Sequence, residues 1–250
     1  VNENYVLKDI NLVVPEGDFI TIIGSNGAGK STLLNLIDGT LFPEAGTVAI
    51  NGQEVTDWPV YKRSPLVGKV FQNPLQGTAA EMTIEENLAL AAQRGRRRGL
   101  RLGLDKKRRA EFRSLLALLE LGLEQRLDCP VKLLSGGQRQ ALTLLMATMG
   151  NPRILLLDEY TAALDPKTAQ QIIAITERIV QQKQLTVLMV THDLKQALAM
   201  GNRTIMMDRG EIILDLKGTE REQTTVADLL AKFAARRGRE LTDDRILLHG

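Results

Sequence analysis

A phosphate-binding loop, GSNGAGKST at residues 24–32, constrains the fold of this chain more than any other feature. It fits the pattern G-x-x-x-x-G-K-[ST]. The apolar run before it, 19–23, predicts a buried strand, and leucines at helical spacing predict a helix over 31–38. Strand, loop and helix in this order form a nucleotide-binding unit of an α/β fold.

Each part of the loop has a predicted task in holding a nucleoside triphosphate. Glycines allow backbone N–H groups to turn toward phosphate oxygens, and the start of the helix adds the positive end of its dipole. We expect Lys30 to reach the β- and γ-phosphates, Ser31 to bind Mg²⁺, and Thr32 to bond a phosphate. A merely connecting turn would give no reason for the lysine. The predicted nucleotide-binding residues are Gly24, Ser25, Asn26, Gly27, Ala28, Gly29, Lys30, Ser31 and Thr32.

Two carboxylates follow a second predicted buried strand, 154–157. Because parallel sheets hold ligands at the carboxyl ends of their strands, Asp158 and Glu159 are expected at such an edge. Asp158 is suited to hold Mg²⁺ through water, and Glu159 to orient or deprotonate the water that attacks the γ-phosphate. A solvated strand end with two acids is the common alternative, which the phosphate loop outweighs.

Between these motifs lies LSGGQ, and the order of all the motifs resembles the ATP-binding cassette (ABC) family of ATPases over nearly the whole chain. That order is phosphate loop, Gln72, LSGGQ, acidic pair, ALD at 163–165, and His192. The resemblance implies ATP as substrate and a head-to-tail dimer in which LSGGQ faces the γ-phosphate bound by the other copy. A helix start with a serine and two glycines suits an anion, although it is also an ordinary cap. The trans signature residues are Leu134, Ser135, Gly136, Gly137 and Gln138.

The resemblance also implies roles for isolated residues. Gln72 would contact Mg²⁺ or the attacking water, His192 the γ-phosphate, and Asp165 the second site of the dimer. A lone glutamine before a turn usually has no function, and Asp165 before Pro166 also reads as a helix cap. The implied catalytic residues are Glu159, His192 and Gln72, and the implied metal-binding residues are Ser31, Gln72 and Asp158.

The chain departs from the family pattern at two places. Tyr160 stands where many relatives carry proline, and we expect no loss of activity from it. The first recognisable strand, Ile10–Val14, comes almost at once, whereas relatives have an earlier strand and an aromatic residue that stacks on adenine. Tyr5 lies too close to the loop to match that residue. We therefore expect a preceding segment, and tighter ATP binding in an extended version because base stacking contributes about 1–3 kcal/mol.

Composition bounds the class of protein. The chain has 250 residues, 44% of them apolar and 25% charged, with a net charge of +2. No apolar run approaches the roughly 18 residues needed to span a bilayer. The single cysteine, Cys129, favours a reducing compartment. We predict one ABC ATPase domain over 1–250, with a phosphate-loop NTPase core and an antiparallel β subdomain in 1–80 and 150–250, and a helical signature-motif subdomain in 81–149.

The remaining elements continue the α/β pattern. We predict helices over Leu164–Gln182 and Val226–Ala235, a buried strand over Leu185–Val190, and a hairpin over Thr204–Leu214. A predicted helical insertion, 81–128, contains a segment rich in basic residues. Three interpretations of this segment compete: a solvated loop and helix face, a surface for anionic lipid headgroups beside a permease, and a nucleic-acid site. The last is disfavoured because no aromatic residues interleave with the arginines. Its basic residues are Arg94, Arg96, Arg97, Arg98, Arg101, Lys106, Lys107, Arg108 and Arg109.

Three functions are compatible with these motifs. The favoured one is the ATPase subunit of a bacterial importer, peripheral at the cytoplasmic face of the membrane. It would pair with a second copy, permease subunits and an extracytoplasmic substrate-binding protein, without nucleic acid. The alternatives are a soluble ABC ATPase acting on ribosomes or DNA and a non-hydrolysing module, which Glu159 and His192 argue against. The stretches FITIIGSNGAGKSTLLNLIDG, DEYTAALDPKTA and TTVADLLAKF are similar to a bacterial importer-type group whose partners resemble branched-chain or aromatic amino-acid uptake systems.

Overall fold

The computed structural model describes residues 6–95 and 105–237. Within them the strands are β1 (Phe19–Gly24), β2 (Ala49–Ile50), β3 (Gln53–Glu54), β4 (Val67–Val70), β5 (Ile154–Asp158), β6 (Thr186–Val190), β7 (Arg203–Asp208) and β8 (Glu211–Lys217). The helices are α1 (Lys30–Asp38), α2 (Val60–Arg63), α3 (Ile84–Ala92), α4 (Lys106–Ala117), α5 (Gly136–Thr148), α6 (Pro166–Lys183), α7 (Leu194–Ala199), α8 (Gly218–Gln223) and α9 (Val226–Arg237).

A six-stranded sheet, ordered β4-β5-β6-β1-β7-β8, forms the centre of the fold. All neighbouring pairs are parallel except β7 and β8, which form an antiparallel hairpin. The register aligns the ends of three parallel strands, since Asp158 pairs with Val190 and Ile22 also pairs with Val190. The phosphate loop after β1 and the acidic pair at the end of β5 therefore lie at one edge of the sheet.

Helices cover both faces of this sheet, and the strands are correspondingly apolar on both sides. Leu155 and Leu157 of β5 belong to the cluster that packs against α3, α4, α5 and α6. Leu156, between them, belongs to the opposite cluster with Leu33 and Leu34 of α1. Because successive strand residues face opposite sides, this alternation fixes which helices lie on which face.

The region of the predicted helical insertion contains α3 and α4. A capping box starts α3, in which the Thr83 hydroxyl accepts from the Glu86 N–H and the Glu86 carboxylate accepts from the Thr83 N–H. Arg109 of α4 pairs with Glu85 of α3 at 2.6 Å and with Asp128 at 2.5 Å. These ion pairs engage one of the basic residues of the segment in contacts within the subunit.

Most predicted elements are confirmed and one is wrong. The structure contains the strands predicted at 19–23, 154–157 and 185–190, the helices predicted at 31–38, 164–182 and 226–235, and the hairpin predicted at 204–214. The strand predicted at Ile10–Val14 is absent. Exposed and half-buried side chains alternate along this run, and Val13 is 80% exposed. The run pairs with no strand in the described part of the chain. The small antiparallel sheet that is described consists of β2 and β3 alone.

No helix in the described residues is long and apolar enough to cross a lipid bilayer.

Candidate functional site

The phosphate-binding loop connects β1 to α1 through glycines in the left-handed region. Gly24, Gly27 and Gly29 have φ angles of 148°, 76° and 96°. A Cβ at Gly24 would lie 2.2 Å from the carbonyl oxygen of Met207, and one at Gly29 would lie 2.4 Å from the side chain of Leu7.

Lys30 stands at the first position of α1 with its side chain folded over the loop. Its Nζ donates to the carbonyl oxygens of Gly24 at 2.7 Å and Ser25 at 2.9 Å. The side chain is buried, so its charge faces the loop rather than bulk solvent. No side chain caps the start of α1, where Gly29 is the N-cap residue. The N-terminal N–H groups and the ammonium group together form a surface that favours an anion.

Ser31 and Asp158 meet across the edge of the sheet. The Ser31 hydroxyl donates to Asp158 Oδ1 at 3.3 Å. Burial raises the pKa of Asp158, and the positive charge of Lys69 and the Ser31 hydrogen bond oppose that rise. A hydroxyl and a carboxylate are hard oxygen ligands of the kind Mg²⁺ takes beside phosphate oxygens. The residues present therefore fit the predicted ion, although the described residues contain no group of three acidic, histidine or cysteine ligands.

Glu159 contacts both of the isolated residues predicted to act with it. The Gln72 Nε2 donates to Glu159 Oε2 at 3.3 Å, and His192 Nδ1 lies 3.7 Å from the same oxygen. The polar contact with His192 lowers the pKa of Glu159, and the same contact raises the pKa of His192. Two residues that are 120 positions apart in sequence thus converge on one carboxylate oxygen of Glu159.

The backbone of Glu159 has a φ of 44°, which is unusual for a residue other than glycine. Its N–H donates to the carbonyl oxygen of Val190 at the end of β6, and its own carbonyl accepts from the Ala162 N–H, both at 3.0 Å. The next residue, Tyr160, is buried, and this burial raises the pKa of its hydroxyl. The turn that carries the carboxylate is therefore held on both sides.

Residues 26–32 and Glu159 line a single cleft at this edge, with Val6 beside them. Within the loop, Asn26 is exposed, Ser25 and Ala28 are buried, and Thr32 is half-buried. The residues that line this cleft in the described chain do not include the signature residues 134–138.

The signature residues begin α5. Ser135 is the N-cap residue, and its hydroxyl and the Gln138 side chain each accept the other residue's N–H at 3.2 Å. Leu134 is buried, whereas Ser135 and Gly136 are exposed. Gly137 is buried, and a Cβ there would lie 2.3 Å from the Thr168 Cγ2 of α6. Gly137 is thus required for helix packing, a role that the sequence pattern does not indicate.

Asp165 is the N-cap residue of α6 and accepts a hydrogen bond from the Thr168 N–H at 3.1 Å, with Pro166 at the first helical position. Its hydrogen bonds with Thr168 lower the pKa of the exposed carboxyl. The capping interpretation of this residue is therefore confirmed in geometry. This geometry leaves the carboxylate at the surface, accessible to a second chain.

Two charged residues near the site were not predicted. Lys69 of β4 donates to Asn35 Oδ1 at 2.7 Å and to Asp38 Oδ2 at 2.6 Å, beneath α1. Asp208, at the end of β7, is buried and accepts from the Ser25 hydroxyl at 3.4 Å. A lysine inside the apolar run VGKV is the one sequence signal that would have indicated Lys69.

Some predicted features lie outside the described residues. They are Tyr5, which was weighed against the adenine-stacking aromatic, and Arg96, Arg97, Arg98 and Arg101 of the basic segment.

Comparisons with known proteins agree with this geometry. A family model described as ABC transporter matches residues 7–162. A tyrosine transport ATP-binding protein of Clostridioides difficile (strain R20291) is 45% identical over 230 residues, covering 92% of this chain and 91% of the relative. The energy-coupling factor transporter ATP-binding protein EcfA1 of Streptococcus pneumoniae serotype 2 is 36% identical over 212 residues, covering 84% of this chain and 74% of the relative.

Solved structures extend the likeness to three dimensions. A dimeric ATP-binding cassette in a post-hydrolysis state, bound to ADP and Pi, aligns with a TM-score of 0.72 and 33% identity over 85% of this chain and 90% of that one. The ADP conformation of another transporter cassette aligns with a TM-score of 0.75 and 27% identity over 91% of this chain and 92% of that one.

Proposed function

Since the chain belongs to the ABC transporter family and is an ATP-hydrolysing, ATP-binding subunit, we propose that it powers a bacterial importer through separate permease subunits. The observation that supports the site of hydrolysis is the convergence of Gln72 and His192 on Glu159, beside a phosphate-binding loop. In this proposal residues 24–32 bind ATP. The core is formed by 1–80 and 150–250, and the helical subdomain by 81–149.

Binding follows from the loop. The N–H groups at the start of α1 and the Lys30 ammonium group hold the β- and γ-phosphates. To do so, Lys30 exchanges its hydrogen bonds to the carbonyls of Gly24 and Ser25 for charge-assisted bonds to phosphate oxygens. Ser31 would bind Mg²⁺ directly and Asp158 would hold it through water, with the side-chain oxygen of Gln72 as a further ligand. The ion, when bound, neutralises charge on the phosphate oxygens.

Hydrolysis follows from the acidic edge. Glu159 orients the attacking water and accepts its proton as the water oxygen bonds to the γ-phosphorus and the bond to the β-phosphate oxygen breaks. The contact with His192 lowers the pKa of Glu159 and so favours the ionised carboxylate, the form that can accept a proton. Once ATP is present, His192 exchanges its contact with Glu159 for a hydrogen bond to the γ-phosphate, where it stabilises charge on the phosphoryl group that is transferred to water.

A second copy supplies the missing side of the site. The signature residues do not line the cleft of their own chain among the described residues, yet Ser135 and Gly136 are exposed at a helix start. We infer a head-to-tail dimer in which Leu134–Gln138 of one protomer face the ATP of the other. Asp165, exposed at the start of α6, joins the two sites. The similar cassette solved with ADP and Pi is dimeric, which supports this arrangement.

The membrane partners follow from the relatives. Two similar proteins are named as ATP-binding subunits of transporters, which supports a peripheral position on membrane permease subunits at the cytoplasmic face. The likeness to a tyrosine transport protein at 45% identity supports an aromatic amino acid as substrate. An extracytoplasmic substrate-binding protein would deliver it. Action on ribosomes or DNA is disfavoured because both of these relatives are named as parts of transporters. Within the basic segment, Arg109 pairs with Glu85 and Asp128 of its own chain.

The experiment is to express Glu159→Gln in its native cells, trap it with ATP and identify what co-purifies with it. Lys30→Ala, which loses the phosphate ligand, is the matched control that cannot be trapped. A multi-span membrane protein captured by Glu159→Gln alone supports transport, and labelled tyrosine uptake that depends on the same permease supports the substrate. Ribosomes or DNA in place of a membrane protein would overturn the proposal.

A further inference from the structure

Tyr160 follows the acidic pair at the end of β5, and its side chain packs into the hydrophobic core. Its side chain is 2% exposed and belongs to the same cluster as Leu157 of β5 and Ile172 of α6. Its hydroxyl lies beside Thr176 of α6 but has no partner in hydrogen-bond geometry among the described residues. The Thr176 hydroxyl instead donates to the carbonyl of Ile172 at 2.8 Å. The aromatic ring, rather than the hydroxyl, therefore anchors Tyr160.

Glu159, directly before this anchor, depends on its surroundings for its conformation. A glutamate at a φ of 44° persists only where the neighbouring structure holds it there. On one side, its N–H is bonded to Val190 of β6. On the other side the chain passes at once into the buried ring of Tyr160, and the turn closes where the Ala162 N–H reaches the Glu159 carbonyl. No proline ring restrains φ at position 160, so burial of the side chain adds to these two hydrogen bonds in fixing the turn.

We propose that Tyr160 is a positioning residue for hydrolysis, whose buried ring fixes the turn after β5 and so aims the Glu159 carboxylate at the attacking water. The inference rests on the proposed role of Glu159. Tyr160 does not line the cleft formed by 26–32, so we expect ATP affinity to change little when Tyr160 is substituted. A displacement of about 1 Å at a reacting group costs about 10²-fold in rate, so a small shift of the turn is enough to affect turnover.

The test compares three variants in steady-state ATP hydrolysis, with kcat and KM measured separately below the melting temperature of every variant. Tyr160→Leu removes the ring but keeps an apolar side chain, and Tyr160→Phe keeps the ring and removes the hydroxyl. Phe112→Leu is the matched control. Phe112 is 1% exposed in the same cluster but lies in α4, away from the proposed site.

We expect Tyr160→Leu to lower kcat by about tenfold or more with KM for ATP within about twofold of the wild type, the pattern of an interaction used only in the reaction step. Tyr160→Phe and Phe112→Leu should stay within about twofold in both constants. Wild-type kcat in Tyr160→Leu, a loss shared equally by Phe112→Leu, or a loss of the same size in Tyr160→Phe would each overturn the inference.

Glu159→Gln, measured beside these variants, separates the two claims. If it hydrolyses ATP at the wild-type rate, the proposed role of Glu159 fails, and the inference about Tyr160 fails with it. If Glu159→Gln is slow while Tyr160→Leu is not, the role of Glu159 stands and only the positioning role of Tyr160 is lost.

Discussion

The left-handed backbone of Glu159 makes a quantitative prediction about stability. Glu159→Ala and Glu159→Gly both remove the carboxylate and its contacts with Gln72 and His192, so those losses cancel between them. The variants differ only in how readily the backbone adopts a φ of 44°. We expect the glycine variant to be the more stable of the two, the reverse of the usual order.

The magnitude follows from two opposing contributions. The left-handed conformation destabilises a residue with a Cβ by about 1–2 kcal/mol through steric contact, and glycine lacks this contact. Glycine in turn loses about 0.5–1 kcal/mol more than alanine through backbone entropy on folding. At the midpoints of these ranges the difference is about 0.75 kcal/mol in favour of glycine, or roughly 1.5–3 °C in melting temperature for a chain of this size.

Urea unfolding of the nucleotide-free variants, monitored by circular dichroism, measures this difference. Ala174→Gly is the matched control, because Ala174 is exposed in the interior of α6 and has no left-handed backbone to relieve. It should destabilise the chain by about 1 kcal/mol. The reasoning is refuted if Glu159→Ala proves as stable as Glu159→Gly, or more so.

Two further predictions concern packing and charge. Gly137→Ala should lower the free energy of unfolding by about 1–3 kcal/mol because the new Cβ meets the Thr168 Cγ2. Thr168→Ser removes that methyl group and should restore most of the loss in the double variant. If stability is not restored, the clash is not the cause. Arg203 holds the pKa of Asp215 below its usual value through paired hydrogen bonds. This contribution is present above the unfolded pKa of about 3.9 and is lost as pH falls through the folded value. Asp215→Asn should therefore reduce stability near pH 7 by about 0.5–1 kcal/mol, the size expected of a partly exposed pair, and leave it unchanged at pH 2, whereas an equal loss at both pH values would contradict the assignment.

Much of the fold could be predicted from the sequence because local pattern and tertiary context agree there. The strands at 19–23 and 154–157 are continuous apolar runs, and both are buried between helices as such runs require. The helix after the phosphate loop and the hairpin at 204–214 are marked by leucine spacing and by a turn at Arg209 and Gly210. In each case one local signal was enough.

The strand predicted at Ile10–Val14 could not be settled in this way. A strand requires a partner as well as an extended, alternating sequence, and a partner is a long-range property that no local pattern reports. The run does alternate in exposure, as an extended segment would, but it forms no strand. Among the described residues, no strand pairs with it.

In the candidate site too, local motifs predicted some residues, while contacts between distant segments could not be predicted from them. The sequence motifs indicated which residue types would do the chemistry, because Lys30, Ser31 and Glu159 stand at fixed spacings. The convergence of Gln72 and His192 on one oxygen of Glu159 depends on strand order in the sheet, which only the family resemblance suggested. The packing role of Gly137 and the buried charges of Lys69 and Asp208 depend on neighbours distant in sequence, so spacing alone did not reveal them.

The central claim is that Glu159 is the group that activates water for ATP hydrolysis. The direct measurement is ATP turnover and ATP affinity of purified Glu159→Gln, beside Glu111→Gln as a matched carboxylate-to-amide change on the exposed surface of α4. We expect Glu159→Gln to keep its ATP affinity while turnover falls by about 10²–10⁴-fold, and Glu111→Gln to match the wild type in both. Wild-type turnover in Glu159→Gln would contradict the account.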